Sequence, residues 1–154
     1  MKQTSNGGAS VRCRVFTVLS VVWLLVIWGQ SLLPAAQSKG ESGALLLFVQ
    51  NLLPWMTEHL LRKAAHFTEY AVLGALCFCA FRFSRRYVLP AVALCGLTAA
   101  LTDETIQLFV PGRSGQVSDV WLDFAGYLCA ALVCLAIFRV KRKQSRRDQK
   151  AADQ

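Results

Sequence analysis

Residues 119–138 read DVWLDFAGYLCAALVCLAIF, and the chain continues at once into RVKRKQSRR (139–147). As a helix, twenty residues rise about 30 Å, which is the hydrocarbon thickness of a bilayer. The acids Asp119 and Asp123 sit only in the first two turns, and the rest of the stretch is apolar. A basic run abutting such a stretch marks the cytoplasmic edge of a membrane span.

Working outward from this segment, three more stretches of similar length follow the same logic. They run from about Val15 to Leu33, ending before Pro34, from about Ala64 to Phe83, and from about Tyr87 to Val110. None alternates as a barrel strand does, so helices are the expected spanning structure. Arg12 and Arg14 precede the first stretch, and Ala36-Gln37-Ser38 resembles a weak cleavage site. Its apolar length exceeds the roughly 7–15 residues of a signal-peptide core, which favours an uncleaved anchor.

The charges set the orientation. Lys2, Arg12 and Arg14 precede the first span, Arg82, Arg85 and Arg86 lie between the second and third, and Arg139, Lys141, Arg142, Lys143, Arg146, Arg147 and Lys150 form the tail. Those thirteen of the 17 basic residues share one side, and the positive-inside rule makes it the cytoplasm. The net charge of +8 is thereby accounted for without nucleic acid, for which no motif is present. The six cysteines lie in apolar spans or in the basic N-terminal flank, so no disulfide framework is expected.

The expected fold is an all-α integral membrane protein, a four-helix transmembrane bundle with a short interfacial helix in the first outer loop. Residues 1–14 form a basic cytoplasmic N-terminus, 15–138 the membrane domain and 139–154 a basic cytoplasmic tail. The interfacial helix is read from Ala44 to Leu53, apolar but too short to span, and ended by Pro54-Trp55. The second outer segment, Pro111 to Val117, reads as a tight turn. Localisation follows as a multi-pass protein of the cell membrane with both termini cytoplasmic.

Acids inside apolar spans carry the functional signal. Near the middle of a membrane helix a charge costs about 2.5–3.5 kcal/mol, so a chain that keeps several must pair, hydrate or use them. His66 and Glu69 are three apart and share a helix face, which Lys63 and Tyr70 extend. Asp103 and Gln107 are four apart, with Gly96 and Ala100 continuing their stripe. Asp119 and Asp123 are four apart, with Gly126 and Ala130 continuing theirs. Small residues let membrane helices approach closely, so the polar patches are expected to meet at one level below the outer surface, within reach of Arg113. Glu104, about 100° around the helix from Asp103, points toward another neighbour. Asp119 alone reads as a helix cap, and Arg62 and Lys63 alone as snorkelling anchors. One histidine and no cysteine make a thin ligand set, so no metal or cofactor is assigned.

Three segments then resemble the VanZ-like family of membrane proteins. They are Arg62-Lys63-Ala64-Ala65-His66-Phe67-Thr68-Glu69-Tyr70 with Leu73-Gly74, Asp103-Glu104-Thr105-Ile106-Gln107-Leu108-Phe109-Val110-Pro111-Gly112-Arg113, and Ser118-Asp119-Val120-Trp121-Leu122-Asp123-Phe124-Ala125-Gly126. The resemblance differs at Asp123, where members often carry Asn, and at Ala130, where a second Gly is common. It implies Lys63, His66, Glu69, Tyr70, Asp103, Glu104, Gln107, Arg113, Asp119 and Asp123 as motif residues without assigning them roles. Because the family's namesake is linked to teicoplanin resistance, it also implies an envelope protein that lowers glycopeptide susceptibility. The partners expected are the lipid bilayer and a lipid headgroup or cell-wall precursor.

Two alternatives stay open, and whether the protein is an enzyme stays open with them. One is a membrane-embedded enzyme acting on a lipid-linked precursor, with Glu69 or Asp103 as base, His66 as acid and Arg113 stabilising an oxyanion. The other is a proton-coupled transporter, which four short helices would form only as an oligomer.

Overall fold

The structure, a computed structural model, describes residues 5–35, 47–82 and 88–152. Among these residues it is all helical: α1 (Ser5–Ser31), α2 (residues 47–52), α3 (Glu58–Phe81), α4 (Val88–Leu108) and α5 (Val117–Ala152). Four of the helices, α1, α3, α4 and α5, are long and apolar enough to cross a membrane. Arg85, Arg86, Lys39, Glu41, the expected span ends at Phe83 and Tyr87, and the start of the Ala44–Leu53 segment lie outside the described residues.

Local chemistry explains the helix ends. Thr57 caps α3, its hydroxyl accepting from the Leu60 N–H at 3.2 Å, and Glu58 faces the positive end of the helix dipole. Pro90 sits in the first turn of α4, where its missing N–H costs nothing. Pro111 and Gly112 make the turn into α5, and Gly112 adopts a φ of 76°, which other residues reach only with strain. With 36 residues, α5 is about 54 Å long, well beyond the bilayer core, so its basic C-terminal turns must project from the membrane.

Contacts between helices give the topology. Lys63 meets Asp119 near one end of the bundle, and Phe78 stacks on Phe138 near the other, with ring centroids 6.0 Å apart, so α3 and α5 run parallel. Arg82 lies 3.7 Å over the Phe138 ring and anchors that second end. α1 runs antiparallel to α3, because Cys13 donates to the Ala80 carbonyl and Trp23 to the Glu69 carbonyl. α4 is antiparallel to α3 as well, tied by Tyr70 donating to the Ala99 carbonyl at 3.2 Å.

The closest approach is between α3 and α5. A Cβ on Gly74 would overlap the Tyr127 carbonyl, and one on Gly126 would overlap the Phe67 carbonyl. Gly96 of α4 packs on the Tyr127 ring. The small-residue seam therefore includes Gly74, and on α5 the residue fully buried below Gly126 is Ala131 rather than Ala130, which is only half-buried. Tyr127 sets this register: its bulk fills the space between Gly74 and Gly96 and turns Ala131, four residues on, into the same core.

The bundle is inverted relative to a water-soluble protein. Val18, Val22, Leu25, Trp121, Val133 and Ile137 face outward, while Ser31, Asp103, Glu104, Gln107 and Asp123 are buried. Threonine hydroxyls at 98, 102 and 105 return to the carbonyls of Leu94, Thr98 and Leu101, which gives each outward-facing O–H a partner within α4. In α2, Leu47, Phe48 and Leu52 are all exposed, as is Trp55 beyond it, which fits a helix lying at a membrane surface.

Candidate functional site

α3 contributes five charged or polar groups over three turns, Arg62, Lys63, His66, Glu69 and Tyr70. Arg62 pairs with Glu58 one turn back at 3.0 Å, and Lys63 reaches across to Asp119 of α5 at 2.5 Å. One turn further in, His66 Nδ1 stands 3.9 Å from Glu69 Oε2 and 3.9 Å from Asp103 Oδ2 of α4. These separations exceed hydrogen-bond length. Tyr70 is fully buried with its hydroxyl on the Ala99 carbonyl, so it serves the packing between helices.

α4 contributes Asp103, Glu104 and Gln107. The Gln107 amide donates to Asp103 at 3.4 Å and to Glu104 at 3.3 Å. Glu104 joins the cluster rather than facing away, and its other oxygen accepts from the Gln116 backbone N–H at 2.8 Å. The reason is the turn 109–116, which folds back over the end of α4 and brings Gly115 against the Glu104 carbonyl, where a Cβ would not fit.

The turn also positions Arg113. Its Nε donates to the Leu33 carbonyl at 2.8 Å and its Nη2 to the Gln30 carbonyl at 3.0 Å. Thus Arg113 caps the C-terminal carbonyls of α1, sharing that of Gln30 with the Leu33 N–H, instead of pairing directly with an acid. Burial lowers its pKa below the ordinary value, Arg62 pulls the same way, and Asp103, Glu104 and Glu69 oppose both. The guanidinium is therefore held in the field of those three acids while it braces α1.

Most of these groups line a cavity of about 90 Å³ at the turn end of the bundle, bordered by His59, Arg62, Lys63, Arg113 and Asp119 and reaching His66 and Asp123. Asp103 is 0% and Asp123 1% exposed. His66 Nδ1, Asp103 Oδ1 and both Asp123 carboxylate oxygens have no hydrogen-bond partner among the described residues. One oxygen or nitrogen from each of these three side chains lies within 4.8 Å of the other two. Beneath the cluster, Tyr70, Leu73, Tyr127 and Ala131 close the core.

Of the ten residues singled out in the sequence, Lys63, His66, Glu104, Gln107, Arg113, Asp119 and Asp123 line the cavity, Glu69 and Asp103 stand 3.9 Å from His66, and Tyr70 lies in the helix packing. Four participants had no sequence signal of their own. Gln116 binds through its backbone, Ser31 is buried beside Asp103 from α1, His59 borders the cavity from the first turn of α3, and Trp23 holds α1 to the Glu69 carbonyl.

A family model described as VanZ/LLP1 matches residues 16–139 of this chain. No curated protein and no solved structure matches it.

Proposed function

The chain belongs to the VanZ-like family and is a multi-pass membrane protein, and from that premise we propose that its polar pocket faces the outside of the cell membrane and binds the anionic headgroup of a lipid or lipid-linked cell-wall precursor, thereby lowering susceptibility to glycopeptides such as teicoplanin. The observation that carries this reading is the cationic border of Arg62, Lys63 and Arg113 around a small cavity at the turn end of the bundle. Cations at a partly dry surface bind phosphate and carboxylate groups well. Size favours a headgroup over the drug. A cavity of about 90 Å³ falls well short of the roughly 300–1,000 Å³ that drug-sized ligands occupy. A glycopeptide does not fit inside, whereas a single phosphate does. The glycopeptide half of the proposal rests on the phenotype associated with the family's namesake, and the headgroup half on the pocket.

One observation favours a second reading. His66 lies between the carboxylates of Glu69 and Asp103 at equal distances of 3.9 Å, an arrangement that can move a proton to or from a bound phosphate ester. In that case the protein is a membrane-embedded enzyme acting on a lipid-linked precursor. Proton-coupled transport has less support, because among the described residues no further buried acid continues below the cluster.

The test is expression in a teicoplanin-sensitive Gram-positive host, with inhibitory concentrations measured for teicoplanin and vancomycin. Glu69→Gln and Arg113→Ala are expressed to the same level. The intact protein is expected to raise the teicoplanin value and the variants to lose the effect. No change in either drug with the intact protein would remove the glycopeptide reading.

A further inference from the structure

We propose that His66, Asp103 and Asp123 bind a divalent transition cation, of the Mn²⁺ or Zn²⁺ class, between α3, α4 and α5. The two aspartates are 0% and 1% exposed, and both oxygens of Asp123, one of Asp103 and Nδ1 of His66 have no partner among the described residues. A buried carboxylate with no donor is among the costliest groups a protein can keep. The charged and amide donors nearby are already engaged, while the buried Ser31 hydroxyl beside Asp103 offers that carboxylate one donor. Lys63 holds Asp119, Arg113 holds the Leu33 and Gln30 carbonyls, and Gln107 bridges Asp103 and Glu104.

The spacing matches an ion better than a direct bond. His66 Nδ1 is 3.9 Å from Asp103 Oδ2, too long for a hydrogen bond, and the three candidate ligand atoms lie within 4.8 Å of one another. Two ligands at about 2.1 Å from one ion stand about 3.0–3.4 Å apart in octahedral or tetrahedral geometry, so contractions of roughly 0.5–1.8 Å between the ligand atoms close the shell. Glu69 Oε2, 3.9 Å from His66 Nδ1, is within reach as a fourth ligand. The cavity, which His66 and Asp123 line, provides the entry path and room for the ion's remaining waters. One imidazole with two or three carboxylates suits Mn²⁺ or Zn²⁺, and the lack of thiolate excludes a soft-metal site.

The inference deepens the headgroup reading, on which its functional meaning rests. Buried carboxylates under a cationic border would repel an entering phosphate. A dication held by them reverses that field and offers the phosphate a direct ligand.

The experiment measures metal uptake by the purified full chain in detergent, without lipid substrate. After loading with Mn²⁺ and desalting, the intact protein is expected to retain about one equivalent by elemental analysis, with an electron paramagnetic resonance spectrum of immobilised Mn²⁺ that Zn²⁺ displaces. Asp123→Leu and His66→Phe keep the side-chain bulk and remove the ligand. Each is expected to weaken Mn²⁺ binding by roughly tenfold or more, while Asp148→Asn in the exposed tail leaves it unchanged. Variants are compared at matched monodispersity, and a Mn²⁺-dependent rise in melting temperature of the intact protein supplies a readout that needs no variant. Absence of both retention and thermal shift in the intact protein overturns the proposal. Equal binding in Asp123→Leu and His66→Phe overturns it too. Metal binding without any phosphate-lipid binding would instead remove the headgroup reading and leave the metal site standing.

Discussion

Lys63 of α3 and Asp119 of α5 form a 2.5 Å ion pair whose side chains are 30% and 24% exposed. It joins the two parallel helices at the mouth of the cavity. Both residues have plain roles in isolation, a snorkelling cation and a first-turn acid, and the structure makes them one contact. Partial exposure limits its worth, since an ion pair in contact with water contributes about 1 kcal/mol or less. A double-mutant cycle of Lys63→Met and Asp119→Asn, read by thermal unfolding in detergent, is expected to give a coupling near that value. Additive losses would show that the two residues act separately.

Gly126 and Gly74 hold the α3–α5 crossing close. A Cβ at either position meets backbone, which cannot rotate away. Alanine at each is expected to destabilise by about 1–3 kcal/mol, the range for overpacking a close contact. At Gly29 nothing lies within 4 Å of an added Cβ, so Gly29→Ala is expected to be neutral or stabilising by up to about 1 kcal/mol through helix propensity. Denaturation in graded sodium dodecyl sulfate would rank the three. Equal behaviour of Gly126→Ala and Gly29→Ala would mean that the helices separate enough to admit a methyl group.

Much of this was legible in the sequence because the membrane imposes few structural choices. Twenty apolar residues must be a helix, and helical spacing then puts His66 with Glu69, Asp103 with Gln107 and Asp119 with Asp123. That these patches meet at one level follows from their similar distance to the same ends of their spans. Pairing across helices was not legible. Spacing along α3 cannot say that Lys63 takes Asp119, or that the Glu104 carboxylate turns to the Gln116 N–H, because a backbone donor in a turn has no sequence signature. Likewise Trp23 and Ser31 read as ordinary span residues, since the side of α1 that faces the bundle depends on partners 40 or more residues away.

Arg113 braces the turn 109–116 against α1 with two hydrogen bonds in the fixed fork of its guanidinium. Lysine carries the same charge but presents it from a single point, so Arg113→Lys keeps the charge at the cavity and loses the brace. Losing one charged hydrogen bond of this kind costs about 1.5–3 kcal/mol. The variant is expected to unfold more easily and to release the turn for protease cleavage after α4, while anion binding at the cavity falls only modestly. If Arg113→Lys proves as stable as the native chain and loses anion binding entirely, the guanidinium acts on the ligand and not on α1.

Placing the cavity outside the cell rests on charge. The end of the bundle remote from the cavity carries Arg82 and the basic turns of α5 from Arg139 to Lys150, and lysines and arginines next to spans stay in the cytoplasm. The cavity end has cations too, but its described ones are tied down: Arg62 to Glu58, Lys63 to Asp119 and Arg113 to α1. Charges neutralised or locked in this way resist insertion less than the free run on α5. A fluorescent protein fused after Gln154 is therefore expected to fold and fluoresce, and alkaline phosphatase inserted at Ser114 to be active. Replacing Arg142, Lys143, Arg146 and Arg147 with Gln is expected to lower the fluorescence by admitting the opposite orientation. Active phosphatase at the C-terminus of the unaltered chain would put the cavity in the cytoplasm, and its ligand would then have to come from the inner leaflet.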